Sequence, residues 1–575
     1  MTRSTLRYWM WAYQEHFRKG VQSLARKVLA EIAAPCEAEV LLVGVRAPEA
    51  SREDPVCIDP EFGPVPIETF ESLETVVEAA IPHHPMQEIF YGDAARMADK
   101  PRIIRAKVII DQVRARLAPH DDEQGVVSFV GFPQRVNDYL VAVVLRVPKV
   151  AFERHPELVL ADVYGEKHDV GFFRACVSQL LATASERLQR PDPGRALGED
   201  LLSPEEIARR GASSFLRAVS AQICDYHGGT DLFERLNDIS ALRYEGNGGV
   251  GRLVFMKPKV DTADFLFKLD EPVGLKEARW CRKILEMASG DAAMIATVRE
   301  VLGVGRISHG SLDNLALSVD FHGHYDWEIR SGEQLLLRTQ FGRPQLPHEA
   351  LAPERFSDNV RRLFKESDCV DVDRLWSLFV LQSRRAGGSQ LIVAEDAEIE
   401  AARLRHQATP IAPTQLTPEA FEHACRIDGG ILVDPNGICF AIGVVLDGPA
   451  RDECTPARGA RFNSAVRYAL NSQAARMAIV VSDDRTVDVV PLLLPRVPRA
   501  LIDKNIEELE RSTREDFHSS RLFLDNHRFY LDSEQCDRVN AAIAKIEASP
   551  QEGTTIYFSV APFIPDSRLS ADYLS

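Results

Sequence analysis

The sequence predicts a multidomain α/β protein with a mixed sheet in its later part, and three observations carry that expectation. Its 575 residues exceed what one hydrophobic core organises, so about three or four domains are expected. Strand-like and helix-like runs alternate through much of the chain. From about residue 241 the character changes to closely spaced short strands, which marks a change of domain. The composition, 45% hydrophobic and 27% charged, is that of an ordinary folded protein.

The opening MTRSTLRYWMWAYQEHFRKG reads as a helix whose Trp9, Trp11, Tyr13 and Phe17 pack into a core. Its apolar patch is too short for a signal segment or a membrane span, and no later run reaches span length. EVLLVGV (39–45), GVVSFVGF (125–132) and DYLVAVVLRV (138–147) read as strands, PRIIRAKVIIDQVRARL (101–117) and GFFRACVSQLLATASERL (171–188) as helices. Together they predict an α/β or α+β N-terminal domain over 1–200. RPDPGRALGED (190–200) reads as a linker, and SPEE restarts a helix with Ser203 as cap, Pro204 first and Glu206 as capping-box acid, so 201–240 is a helical connector.

RLVFMKP, DFLFKL, AAMIATV and LALSVDF read as strands, with a helix LKEARWCRKILEMA (275–288) between them and a hairpin turning at Ser331-Gly332. This β-rich segment is assigned to 241–360. A core over 361–500 follows, and 501–575 carries a charged helix, a second helix and a strand TTIYFSVAPF.

Subtracting 85 acidic from 68 basic residues gives a formal charge of −17, which disfavours a general nucleic-acid surface while leaving room for a local basic pocket. Ten cysteines stand singly without a CxxC, the pattern of reduced thiols in a cytoplasmic protein, and argue against a cysteine zinc site. GNGGVG (246–251) matches the letters of a dinucleotide loop, but a strand rather than a helix follows it, so it is read as a glycine-rich loop. His309, His322 and His324 lack metal-site spacing; His322 and His324, two apart in a strand, are expected on one sheet face. PHHP (82–85) is read the same way. No GxSxG, Cys-His or Walker signature is present.

Residues 387–490 hold a more pointed series. A helix ends at Gly387-Gly388, and the strand SQLIVAED follows. Thr417 caps a helix with Pro418 at its first position, and Asp428-Gly429-Gly430 turns tightly into the strand ILVD. PNG (435–437) closes a hairpin, and PARGARFNSAVRYAL (456–470) supplies a turn and a helix. A strand then runs into Ser482-Asp483-Asp484. A helix N-terminus behind Gly459, with Arg458 and Arg461 beside it, suits a phosphate. Asp428 suits a ribose hydroxyl or a divalent metal, and Asp483 or Asp484 offers a second oxygen. Each feature alone is explained by turns and surface ion pairs; their order is what points to one pocket.

That order resembles the diadenylate cyclase (DAC) domain over roughly 370–500. SQLIVAED is similar to the family's first strand, Asp428-Gly429-Gly430 to its Asp-Gly-Ala turn, Gly459-Ala460-Arg461-Phe462-Asn463 to its Gly-Thr-Arg-His-Arg turn, and Ser482-Asp483-Asp484 to its acidic turn. EPVGLKEARWCRKILEMASG (271–290) resembles the region upstream of the core in the divergent DACNV branch, proposed as a nucleotide sensor. The resemblance implies a DAC-like nucleotide-binding unit spanning 241–500, with Asp428, Gly429, Gly430, Arg458, Gly459, Arg461 and Asn463 lining the nucleotide. It further implies Asp428, Asp483 and Asp484 toward Mg2+ or Mn2+ when a triphosphate is bound. In active relatives two domains face each other, each holding one ATP, so a homodimer is one expectation; a sensor needs none. Here Phe462 replaces the histidine and Asn463 the second arginine, each removing a charge-assisted contact worth about 1.5–3 kcal/mol. A cytoplasmic nucleotide sensor is therefore the expected function. The alternatives are an active cyclase making cyclic di-AMP from two ATP, with Asp428 catalytic, and a scaffold whose pocket is dead.

Overall fold

The computed structural model describes the chain apart from residues 1–5, 8–9, 61–62, 156, 162–166, 196–201, 224–230, 245–247, 257–262, 308–316, 333, 348–350, 368, 385–386, 456–458, 483–486, 514–516 and 549–560. It divides into two compact units, Met1–His348 and Glu349–Ser575. Both are mixed α/β.

In the first unit, strands β1 (Leu6–Arg7), β2 (Glu39–Arg46), β3 (Val56–Asp59), β4 (Val126–Val130), β5 (Gln134–Val136) and β6 (Tyr139–Pro148) form a sheet in the order β1-β3-β2-β6-β4, with β5 also on β6. β2 and β6 read as near-continuous apolar runs because helices cover both faces of the sheet. The helix Gln14–Glu31 starts later than the sequence suggests: Gln14 Oε1 accepts the Met10 N–H at 2.7 Å. Trp11 is buried ahead of that helix, Tyr13 is its cap, and Trp9 lies outside the described residues. The helix predicted at 101–117 runs over Ala94–Gln124, because the Asp93 carboxylate accepts from the Ala95 and Arg96 N–H groups and starts it before Pro101.

The turn after the helix Phe172–Leu188 lies inside this unit rather than at a boundary. The Pro193 carbonyl accepts from Trp11 Nε1 at 2.7 Å, and a Cβ on Gly194 would stand 2.5 Å from the Tyr13 carbonyl oxygen. Ser203 accepts from the Glu206 N–H as a cap for the helix Pro204–Ile223.

A small hairpin, β7 (Leu158–Ala161) with β8 (Lys167–Val170), precedes an eight-stranded sheet built from β9 (Gly251–Phe255), β10 (Ala263–Gly274), β11 (Ala293–Ala296), β12 (Glu300–Ile307), β13 (Leu317–Gly323), β14 (Asp326–Ser331), β15 (Gln334–Gln340) and β16 (Arg343–Gln345). Its order is β10-β12-β11-β9-β13-β14-β15-β16. The sequence joins this β-rich stretch to the core that follows; the structure packs it with the N-terminal helices. One apolar core runs from Phe17 through Phe172, Phe215 and Phe233 to Trp327. Trp327 Nε1 donates to Asn237 Oδ1 at 3.0 Å, and the Leu346 N–H donates to the Ile32 carbonyl at 2.9 Å.

His322 and His324 do not share a strand face: β13 ends at Gly323, and His324 turns its ring against Tyr325 at 4.7 Å. His322 Nε2 lies 3.5 Å from the Glu328 carboxylate, and His309 is outside the described residues. Among the described residues, no cluster of three or more His, Cys, Asp or Glu side chains is arranged to hold a metal. Among them, too, no helix is long and apolar enough to cross a membrane.

The second unit is built on a mixed six-stranded sheet. Its strands are β17 (Ser389–Ala394), β18 (Thr409–Gln415), β19 (Gly430–Val433), β20 (Ile438–Val444), β21 (Arg476–Val481) and β22 (Val487–Val490), in the order β18-β20-β19-β17-β21-β22. β17 and β19 are parallel; the other pairs are antiparallel. β18 has no strand signature in the sequence because Pro410 and Pro413 interrupt it, and it is an edge strand, where missing donors are tolerated. Among the described residues the C-terminal part holds three α-helices, Arg499–Arg511, His518–Asn526 and Ser533–Glu547, one more than the sequence predicts. Most of the strand expected at 554–563 falls outside the described residues.

Candidate functional site

Strand register decides whether the four motif turns meet. β17 runs parallel to β19 with Gln390 opposite Gly430, so both strands begin at the same end of the sheet. β21 runs antiparallel to β17 with Val481 opposite Ser389, so it finishes there. The Gly387-Gly388 turn, the Asp428-Gly429-Gly430 turn and the chain leaving β21 at Ser482 therefore share one sheet end. Asp483 and Asp484 themselves lie outside the described residues, as does Arg458.

The helix Ala460–Leu470 is tied to this end by Gln390. That residue is 5% exposed, and its Nε2 donates to the Arg461 carbonyl at 3.4 Å. Gly459 is the cap position; it supplies no capping side chain, and a Cβ built there would meet nothing within 4 Å. Gly459 and Ala460 are both exposed, so the electropositive start of the helix faces solvent.

Asp428 lies beside that helix start, with Oδ1 3.7 Å from Arg461 Nη2. Its side chain is 96% exposed, and its Oδ1 also accepts the Gly429 N–H at 3.1 Å. The turn is held by backbone rather than by side chains. Gly429 adopts φ +107°, and a Cβ on it would come within 2.6 Å of the Gly443 carbonyl carbon. Gly443 itself has φ +63°. Gly430 presses on Ile392, whose Cδ1 a Cβ would approach to 2.6 Å. Thr417 caps the preceding helix by accepting the Ala420 N–H at 3.1 Å.

Phe462 and Asn463 point to other work. Phe462 packs against Val466, Ala469 and Val490. The Asn463 amide makes a two-way bond with Thr455: Oδ1 accepts its N–H and Nδ2 donates to its carbonyl, each at 3.0 Å. Asn463, expected toward the nucleotide, instead fastens the loop before the helix, since a side-chain amide matches one backbone donor and one acceptor. Gln390 and Gly443 were not foreseen. The signals were a polar residue in an otherwise apolar strand and a glycine within a strand pattern.

Comparison with known proteins places the clearest likenesses in the first unit. Residues 10–216 match the family model described as "Probable sensor domain DACNG", and residues 230–333 the one described as "Probable sensor domain DACNH". The segment 271–290, likened above to DACNV, falls within the second match. No curated protein matches the chain. Among solved structures, a double cysteine mutant of DacA from Staphylococcus aureus is 15% identical, covering 24% of this chain and 79% of its own, with a TM-score of 0.16. A hypothetical membrane spanning protein from Bacillus cereus is 20% identical over 20% of this chain and 57% of its own, with a TM-score of 0.17. Likenesses this partial carry no argument about the chain; its first unit, over most of its length, is similar to two probable sensor domains.

Proposed function

We propose that this protein is a sensor whose second unit binds a nucleotide or nucleotide-derived signal at the Asp428–Arg461 end of its sheet. The observation that carries the reading is the convergence there of a backbone-held acid and a half-exposed arginine at an uncapped helix start. Phosphate would lie against the start of the helix and the Arg461 guanidinium, where both dipole and charge favour an anion. Asp428, extended into solvent, would accept from a ribose hydroxyl. A Mg2+ or Mn2+ ion arriving with a triphosphate needs few protein ligands, and a single carboxylate such as Asp428 fits that role, with the ion neutralising phosphate charge. The nucleotide pocket residues are then Asp428, Gly429, Gly430, Gly459 and Arg461.

A sensor is favoured over a cyclase because the two positions that differ from the family turn have other tasks. Phe462 is in an apolar cluster and Asn463 is committed to Thr455. Neither would stabilise charge developing on a reacting phosphate. The probable sensor domains matched in the first unit support the same reading, and a cytoplasmic location follows as part of it.

The test is incubation of the full chain with labelled ATP and Mn2+, reading bound nucleotide and cyclic product together. Binding without product, lost in Arg461→Ala, is expected. Product that disappears in both Asp428→Asn and Arg461→Ala would establish a cyclase, acting as a face-to-face homodimer. Absence of both signals would reject nucleotide binding at this site.

A further inference from the structure

Residues 248–251 and a helix that follows later in the first unit form something that the second unit's site does not use. The helix Ala278–Leu285 buries Cys281, Arg282, Ile284 and Leu285. Its other side presents Arg279, Trp280 and Lys283, which together with Arg243 and Tyr244 line a cavity of about 590 Å3. That volume is in the range of small-molecule sites, roughly 300–1,000 Å3.

The back of the cavity is fixed. Arg282, 1% exposed, donates from Nε to the Leu242 carbonyl at 3.0 Å and pairs through Nη1 with Glu286 at 2.6 Å. The glycines explain how the chain passes so close: a Cβ on Gly249 would stand 3.0 Å from Arg282 Nε, and one on Gly251 2.7 Å from the Ala288 carbonyl oxygen. These glycines serve close packing against the helix, not a phosphate.

The front of the cavity is open and unbalanced in charge. Among the described residues, Arg243, Arg279 and Lys283 have no carboxylate partner, in a chain whose net charge is −17. Trp280 is 57% exposed, and Lys283 Nζ lies 5.4 Å from its ring centroid. Tyr244, 36% exposed, belongs to the same lining. An exposed indole costs hydration, and three unneutralised cations beside it repel one another; a ligand that is flat at one end and anionic at the other relieves both.

We propose that this cavity of the first unit is a second ligand site, taking a nucleoside phosphate. The base stacks on Trp280, and the phosphates lie between Arg243, Arg279 and Lys283. Aromatic stacking accepts any base, while the guanidinium groups match phosphate oxygens in pairs. A mononucleotide is favoured over a nucleic-acid strand because the cations are confined to one cavity and the rest of the molecule is acidic.

The test uses the full chain and calorimetric titration with ATP, GTP, CTP and UTP. The Arg461→Ala protein is expected to bind one equivalent of at least one of them. Trp280→Ala and Arg279→Glu, both at exposed positions and expected to keep the parent melting temperature, should each weaken that binding by about tenfold or more. Inorganic triphosphate should bind more weakly than the nucleotide. Binding retained in both cavity variants, no binding in Arg461→Ala, or a single-stranded oligonucleotide preferred over all four nucleotides would overturn the proposal. A site lost in Trp280→Ala but indifferent to Arg461→Ala would uphold it even if the second unit binds nothing.

Discussion

At the start of the helix Ala460–Leu470, Arg461 is 40% exposed with the Asp428 carboxylate at 3.7 Å; at Tyr468, about 10 Å further along the axis, every charge is locked. The Tyr468 hydroxyl donates to Glu400 at 3.0 Å, and Arg476 lies over the Tyr468 ring while pairing with Asp396 at 2.8 Å and Glu400 at 3.0 Å. Arg403 clasps Glu400 and Asp447 with two bonds each. One helix thus joins a loose acid–arginine pair to a saturated network. The contrast is between a buried, closed network and an exposed pair at the helix start. An ion pair at 3.7 Å with a 96% exposed acid adds little to stability, whereas partners of a buried carboxylate cannot be removed cheaply.

The largest effect is expected at the closed end. Arg476→Ala leaves Asp396 without its cation and the 4% exposed Glu400 with Arg403 alone, and should cost about 3 kcal/mol, seen as a lower denaturant midpoint. A stability loss below about 1 kcal/mol would erase the distinction between the two ends. Next, Gly429→Ala sets a Cβ against the Gly443 backbone at a positive φ; about 2 kcal/mol of stability should be lost, and nucleotide affinity with it. Arg461→Ala should lower nucleotide affinity roughly tenfold or more while shifting the midpoint less than Arg476→Ala does.

Acid sharpens the same comparison with a smaller effect. Burial raises the Glu400 carboxyl, but hydrogen bonds from Arg403 and Tyr468 and the Arg476 charge outweigh it and hold the group below its ordinary value. Hydrogen bonds from Arg403 hold Asp447 low as well. Both contribute stability that is complete above the unfolded values of about 4, and that is lost as pH falls through the lower folded values. Urea midpoints should therefore drop on acidification below about pH 4, and Arg403→Ala should flatten that decline.

Much of the second unit was legible in the sequence because its signals were local. Alternation, a Thr-Pro helix start and an Asn-Gly turn each act within a few residues, and β17, β19, β20 and the PNG hairpin follow from them. β18 was missed because its prolines mimic a loop. The convergence of the turns depends on register between distant strands, and the task of Asn463 on a loop eight residues away. The largest difference concerns 241–348. Short strands there announce a sheet, but which helices cover it depends on contacts such as Trp327 with Asn237, and no period in the sequence encodes those.

The Asn463–Thr455 clasp limits how this chain could change. Placing arginine at position 463 would add a cation near the helix start, but it would also remove the Asn463 bonds to the Thr455 N–H and carbonyl and weaken the hold on the loop that leads into the helix. A gain in phosphate charge would arrive together with a loss of the geometry that aims it. The loop would have to find another anchor first, so a cation at this position requires at least two exchanges, and their order matters.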